Sequence, residues 1–272
     1  MLKRKEDFNM MNIQQKTAIL IISFGTSYQN AIENNIGIIE KEIQKYYKNY
    51  TVFRAFTSKI ILNQLKKEGI EIDTIVQAVE KIIKQDYTSI ICQPTYIMHG
   101  REYQKMILQL QPYKQKINIL YGKPLLSDES DYQKVVNCMI SENQFITKKD
   151  ALILIGHGSK HGINSCYRTL EYYFAKQGYD YIFVATVEDS HDIDIVLNKL
   201  QKKSLNTIYI LPFMIVIGFH AHQNIFGQYK NTWKNQMEHR GYCIKPIVRG
   251  LGEYQGICRI FIEHIENAIK SN

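Results

Sequence analysis

The chain has 272 residues, 45% of them hydrophobic, and a formal net charge of +8, which is enough apolar material for one large core or two lobes of ordinary size. Its five cysteines, Cys92, Cys138, Cys166, Cys243 and Cys258, form no C-x-x-C pair and are odd in number, which argues against a disulfide framework or a zinc ribbon. The lysines are scattered among acids along helical faces (Lys66, Lys67, Lys81, Lys84), so the charge reads as a solvated surface and no nucleic-acid partner is expected.

In chain order, residues 1–16 form a charged N-terminal extension without the apolar stretch that a secretory signal needs. A strand is predicted over Ala18 to Ser23 and a helix over Asn30 to Gln44, then a strand over Thr88 to Gln93 and a helix over Glu102 to Leu110. The alternation recurs as Ala151 to Gly156 followed by Ile163 to Lys176, and as Thr207 to Leu211 followed by Ala221 to Gln236. Such alternation predicts an α/β fold of parallel sheets covered by helices. The apolar run Ile208 to Ile217 suits a buried strand and is too short to cross a bilayer, so no membrane partner is expected and the cytoplasm is the expected location.

The second half of the chain echoes the first. AILIISFGTS from Ala18 resembles ALILIGHGSK from Ala151, and IICQPTYIMHGRE from Ile90 matches IYILPFMIVIGFH from Ile208, with Pro94 and Pro212 each six residues before Gly100 and Gly218. Two matches in the same order predict two similar lobes, over residues 17–128 and 129–272, with their strand carboxyl ends facing a shared cleft. Two residues beyond the equivalent glycines stand Glu102 and His220, and His157 stands where the first lobe has Phe24. The repeat therefore nominates Glu102, His157 and His220 as pointing into one space.

Each candidate has a plainer role beside the functional one. Glu102, near a helix start, could serve only as a dipole or cap partner. His157 lies in a Gly156-His157-Gly158 turn after a strand, where an imidazole can be structural or left uncovered as a ligand or base. His220 forms an H-x-H with His222, which is weak evidence for a metal by itself, and His99 beside Gly100 is a further candidate. Histidines with one carboxylate suit cobalt, nickel, iron or zinc and leave coordination positions open, as metal delivery requires. The glycine turns match neither nucleotide fingerprint, so ATP and NAD are not expected. Tyr96, Phe213 and Phe219 at the equivalent strand ends are candidates for lining the face of a flat ligand.

SFGTS at Ser23, RAFTSKII at Arg54, Q-P-x-x-I-x-x-G-x-E-Y from Gln93 to Tyr103, GHGS at Gly156, TVE at Thr186 and GLGE from Gly250 to Glu253 occur in order along the chain. Together they resemble the anaerobic, class II sirohydrochlorin cobaltochelatases of cobalamin biosynthesis, relatives of ferrochelatase, over roughly residues 17 to 268. The resemblance implies two lobes, each with a four-stranded parallel sheet flanked by helices. It also implies a nucleotide-independent lyase whose substrates are Co2+ and a tetrapyrrole, with no cofactor. By position it assigns the metal-site histidines to His157 and His220 and the acidic partner to Glu102. Iron or nickel chelation, action on a porphyrin, or non-catalytic metal or tetrapyrrole binding are the alternatives. Arg54 and Lys59 are the candidates for binding the carboxylates of the tetrapyrrole rim, with Tyr96 and Phe219 against its ring. A homo-oligomer is compatible with the sequence. The chain departs from the family pattern at Thr95-Tyr96, where Leu-His is common, and at Phe219, where an aspartate commonly precedes the histidine; this bears on metal preference and rate.

Overall fold

The computed structural model describes residues 16–158, 164–189, 192–218 and 221–271, with the backbone alone at 221–222. In chain order the first half runs β1 (Thr17–Ser23), α1 (Gln29–Ala31), a π-helical turn (Ile32–Ile36), α2 (Gly37–Tyr46), β2 (Thr51–Phe56), α3 (Lys59–Lys67), α4 (Ile75–Lys84), β3 (Ser89–Pro94), α5 (Arg101–Leu110) and β4 (Asn118–Tyr121). The second half runs α6 (Glu129–Glu142), β5 (Ala151–Gly156), α7 (Ser165–Lys176), β6 (Ile182–Thr186), α8 (Asp192–Leu200), β7 (Ile208–Pro212), a second π-helical turn (Ala221–Ile225), α9 (Trp233–Glu238), β8 (Ile244–Pro246) and α10 (Gln255–Lys270). Two four-stranded sheets result, ordered β2-β1-β3-β4 and β6-β5-β7-β8, with every pairing parallel. The expected pair of similar α/β lobes is present.

The strands read as continuous apolar runs because both faces of each sheet are covered. In β1 the side chains alternate between two cores: Ile19 and Ile21 enter one cluster, while Ala18, Leu20 and Ile22 enter another with Val79, Ile82 and Met106. β5 divides in the same way, Leu152 and Leu154 against Ala151, Ile153 and Ile155. The cluster holding Ile19 and Ile21 is the one holding Leu152 and Leu154, so the two sheets share an inner layer, filled by Ile39 of α2, Val135 and Met139 of α6, Phe174 of α7 and Phe261 of α10. α10 follows the second sheet in sequence yet packs on β3 and β4 of the first. The lobes are thus joined by a common core as well as by the chain.

The predicted helix over Ala221 to Gln236 is interrupted. Its ends are the second π-helical turn and α9, and between them the Gly227 carbonyl accepts from Thr232 Oγ1 and Asn235 Nδ2, both at 3.2 Å, while Thr232 caps α9 by accepting from Asn235 N. Side-chain to backbone bonds of this kind compete with helix continuation. Among the described residues no helix is long and apolar enough to cross a membrane.

Candidate functional site

The strand ends confirm the repeat as a register. After β1, Thr57 N donates to Ser23 O and Ser58 N to Phe24 O, at 3.0 and 3.2 Å; after β5, Val187 N donates to Gly156 O and Glu188 N to His157 O, both at 3.0 Å. Likewise Thr95 N donates to Ile22 O, and Phe213 N to Ile155 O. Phe24 and His157 are therefore equivalent in backbone pairing, as the sequence match predicts, and both are exposed. The backbone thus pairs His157 with Glu188 in the second lobe, where the first pairs Phe24 with Ser58.

The turn that presents His157 depends on glycine. Gly158 has φ +80°, and a Cβ there would lie 2.5 Å from Thr186 Cβ; a Cβ at Gly156 would lie 2.2 Å from the Tyr167 ring. Gly158→Ala is therefore expected to lose more stability than Gly178→Ala, since Gly178 has a similar φ of +88° but nothing within 4 Å of an added Cβ. The positive φ costs roughly 1–2 kcal/mol in both, and overpacking adds about 1–3 kcal/mol at Gly158 alone. Equal unfolding midpoints for the two variants in urea would remove the clash argument.

His157 Nδ1 lies 3.3 Å from the Gly158 carbonyl oxygen. A carbonyl only accepts, so this contact favours the tautomer with hydrogen on Nδ1 and a lone pair on Nε2, the form in which an imidazole ligates a metal. Glu102 sits in the first turn of α5, favoured there by the helix dipole, and accepts a 2.7 Å bond from Lys105. Beneath it Tyr96 is 8% exposed and belongs to the first lobe's core. Burial pushes the Tyr96 hydroxyl pKa up, a shift reinforced by the Glu102 charge. His220 and Phe219 lie outside the described residues, and among the described residues no three His, Cys, Asp or Glu side chains assemble into a metal cluster.

The loop preceding Glu102 meets the second lobe directly, since Cys166 Sγ of α7 lies 3.2 Å from Met98 Sδ. Gly218, at the end of the described β7 extension, lies against Thr26 of the β1 turn, whose Oγ1 would be 3.5 Å from an added Cβ. The loop before Glu102 and the β1 turn carrying Thr26 therefore both meet the second lobe. An apolar hollow of about 180 Å³ near the start of β5, lined by Met139, Ile140, Leu152 and Tyr181, is remote from these turns. It is also small for a ring-sized ligand.

Several expected contributors sit elsewhere. Arg54 does not offer a free cation: its Nε and Nη2 make a fork onto Glu40 Oε1 and Oε2 of α2, at 2.7 and 2.5 Å, and the Glu40 bond raises its pKa further. The Tyr96 and Phe213 rings are core side chains, Phe213 packing edge-on against Tyr167, so neither presents a face to a ligand. Lys59 stands exposed at the first position of α3, just beyond the end of β2. His99 bonds Ser127 Oγ at 2.9 Å and stacks edge-on against Tyr103. Burial lowers its pKa, and Lys123 and His264 lower it further against the opposing Asp131. Glu188 was not among the expected site residues; the TVE motif ending on it was the available signal.

The cobalt chelatase (CbiK) family model matches residues 17–270. The chain belongs to this family. It is 30% identical over 256 residues to the sirohydrochlorin cobaltochelatase of Salmonella typhimurium, covering 93% of this chain and 97% of that one. It is 24% identical over 260 residues to the sirohydrochlorin cobaltochelatase CbiKC of Nitratidesulfovibrio vulgaris, covering 94% and 92%. In fold it is similar to the sirohydrochlorin chelatase SirB of Bacillus subtilis subspecies spizizenii, solved in complex with cobalt. That match has a TM-score of 0.65 at 15% identity over 94% of this chain and 96% of the other. The two four-stranded parallel sheets of this chain agree with the fold that the resemblance implied.

Proposed function

We propose that this chelatase inserts Co2+ into sirohydrochlorin in the cytoplasm without a nucleotide, using residues from both lobes. The reading is carried by the exposed His157 imidazole at the end of β5, next to Glu188, in a chain that the cobalt chelatase family matches almost end to end. His157 and His220 hold the metal substrate beside one face of the macrocycle, with Glu102 as the acidic partner on the opposite lobe.

Metallation displaces the pyrrole N–H protons, so a base must lie within hydrogen-bond reach of the ring, directly or through water. Glu102 and Glu188 are the candidate acceptors. Glu102 accepts from Lys105, and Glu188 is attached by its backbone to the His157 turn. Rim carboxylates of the tetrapyrrole are met by basic side chains at the strand ends, with Lys59 retained for this role and Arg54 excluded by its bond to Glu40. The fold supplies position and an acceptor for protons; the entering metal supplies the charge that holds the deprotonated ring.

The test is an absorbance assay of the purified protein with Co2+, Ni2+ and Fe2+, on sirohydrochlorin and on a porphyrin with fewer carboxylates. Multiple turnovers are expected with Co2+ and sirohydrochlorin, faster than with the porphyrin. Stoichiometric binding without turnover would mark a carrier, and faster metallation of the porphyrin would transfer the assignment to a different tetrapyrrole.

A further inference from the structure

Asn35 lies in the first π-helical turn, 2% exposed, and both atoms of its amide are used by the opposite lobe. Its Oδ1 accepts from Ile217 N at 3.1 Å, and its Nδ2 donates to Glu253 Oε1 at 2.7 Å. The same Glu253 oxygen accepts from Gly250 N at 2.9 Å, which closes the Gly250-Leu251-Gly252-Glu253 turn around the amide. That turn can come so close only because it has glycines: a Cβ on Gly252 would lie 2.4 Å from the Asn35 carbonyl oxygen, and one on Gly250 would lie 2.8 Å from the Asn35 amide. The turn is in turn laid along the extension of β7, with Leu251 N donating to Met214 O at 2.8 Å and Gly252 N to Ile215 O at 3.1 Å. The amide of the first lobe and the turn closed around it thus hold Ile217, Met214 and Ile215 of the second, in the segment that leads in sequence toward His220.

We propose that Asn35 is a positioning residue for metal transfer, its amide setting the register in which the second lobe's Ile217–Gly218 backbone meets the first lobe. The inference rests on the reading that His220 handles the metal. Asn35 touches neither substrate; it acts by fixing where the chain enters that histidine relative to the turns of the first lobe. A buried amide that donates and accepts at once tolerates only one arrangement of its partners, whereas an apolar contact would let the segment slide. Errors of about 1 Å in the placement of a reacting group cost up to about 100-fold in rate.

The test compares Asn35→Ala, Asn35→Asp and the double variant Asn35→Asp with Glu253→Gln, measuring Co2+ insertion into sirohydrochlorin per mole of folded protein. Both single variants are expected to lose roughly 10- to 100-fold in kcat and to need more Co2+ for half-saturation, with little change in KM for sirohydrochlorin. Asn35→Asp opposes two carboxylates, and the double variant, which restores a donor between residues 35 and 253, is expected to recover most of the lost kcat. A purely structural role would lower the unfolding temperature while leaving kcat per folded molecule at the wild-type value, and that result would overturn the proposal. If Asn35→Ala does not fold, a folded double variant no faster than Asn35→Asp overturns it equally. His220→Ala in the same assay separates the two readings: full activity there removes the site assignment, whereas its loss together with wild-type turnover in the Asn35 variants removes the role of Asn35 alone.

Discussion

His157→Ala is expected to slow Co2+ insertion into sirohydrochlorin by at least about 100-fold, the scale typical of losing a metal-orienting or proton-transfer group, with the unfolding temperature nearly unchanged. The two halves of this expectation have separate causes. The imidazole is exposed, so its removal leaves no cavity in the core. The turn that carries it is held through the backbone, by Val187 N on Gly156 O and Glu188 N on His157 O, and by the close fit of Gly158 against Thr186, none of which needs the side chain. Absorbance of the metallated product and a melting curve by circular dichroism measure the two halves independently. Near-wild-type turnover would eliminate His157 from the chemistry, and a large fall in melting temperature would show that the ring is structural. Glu188→Gln and Glu102→Gln in the same series identify the proton acceptor as the one with the larger fall in kcat.

Asp131→Ala is expected to have the largest effect on stability, costing several kcal/mol, at about 1–3 kcal/mol for each buried group left without its hydrogen-bond partner. His264 of α10 is 3% exposed; its Nε2 lies 2.9 Å from Asp131 Oδ1 and its Nδ1 lies 2.9 Å from the Lys123 carbonyl oxygen. The second Asp131 oxygen accepts from Ser127 N and Asp128 N at 3.1 and 3.2 Å, so the carboxylate also builds the start of α6. Truncation therefore strands a ring nitrogen and two backbone donors in one place, at the joint between the last helix and the segment linking the lobes. Asp131→Asn is expected to cost less than half as much, because its oxygen can keep the two N–H groups while its amide donates to His264 Nε2. Urea unfolding of the two variants gives the comparison, and an alanine variant no less stable than the asparagine one would contradict it.

The equivalence of the two strand-end turns was legible because duplication writes each position twice. Phe24 and His157 matched in sequence, and the same pair matches in backbone hydrogen bonding, since parallel strands of equal register end at equal heights. The sheets were legible for a related reason: strands covered on both faces must be apolar throughout, so β1 and β5 announce themselves. Arg54 shows where local reading fails. Its motif lies at a strand end that suits a ligand contact, but the side chain meets Glu40 of α2, and no spacing rule links residues 40 and 54. Asn35 was less visible still. A single asparagine in an otherwise helical run reads as a neutral choice, and its meaning comes from Ile217 and Glu253, about two hundred residues away, and from two glycines that leave room for it. Tyr96 failed for the opposite reason: its place at a strand end is as expected, but its ring turns into the core of the first lobe rather than outward.

The central claim is that both lobes act on one metal ion. Crystals of the protein loaded with Co2+, measured at the cobalt absorption edge, test it most directly. An anomalous peak within bonding distance of His157 Nε2 and His220, with Glu102 or Glu188 beside it, is the predicted result. Cobalt bound elsewhere, or held in the second lobe with both carboxylates turned away, would contradict it.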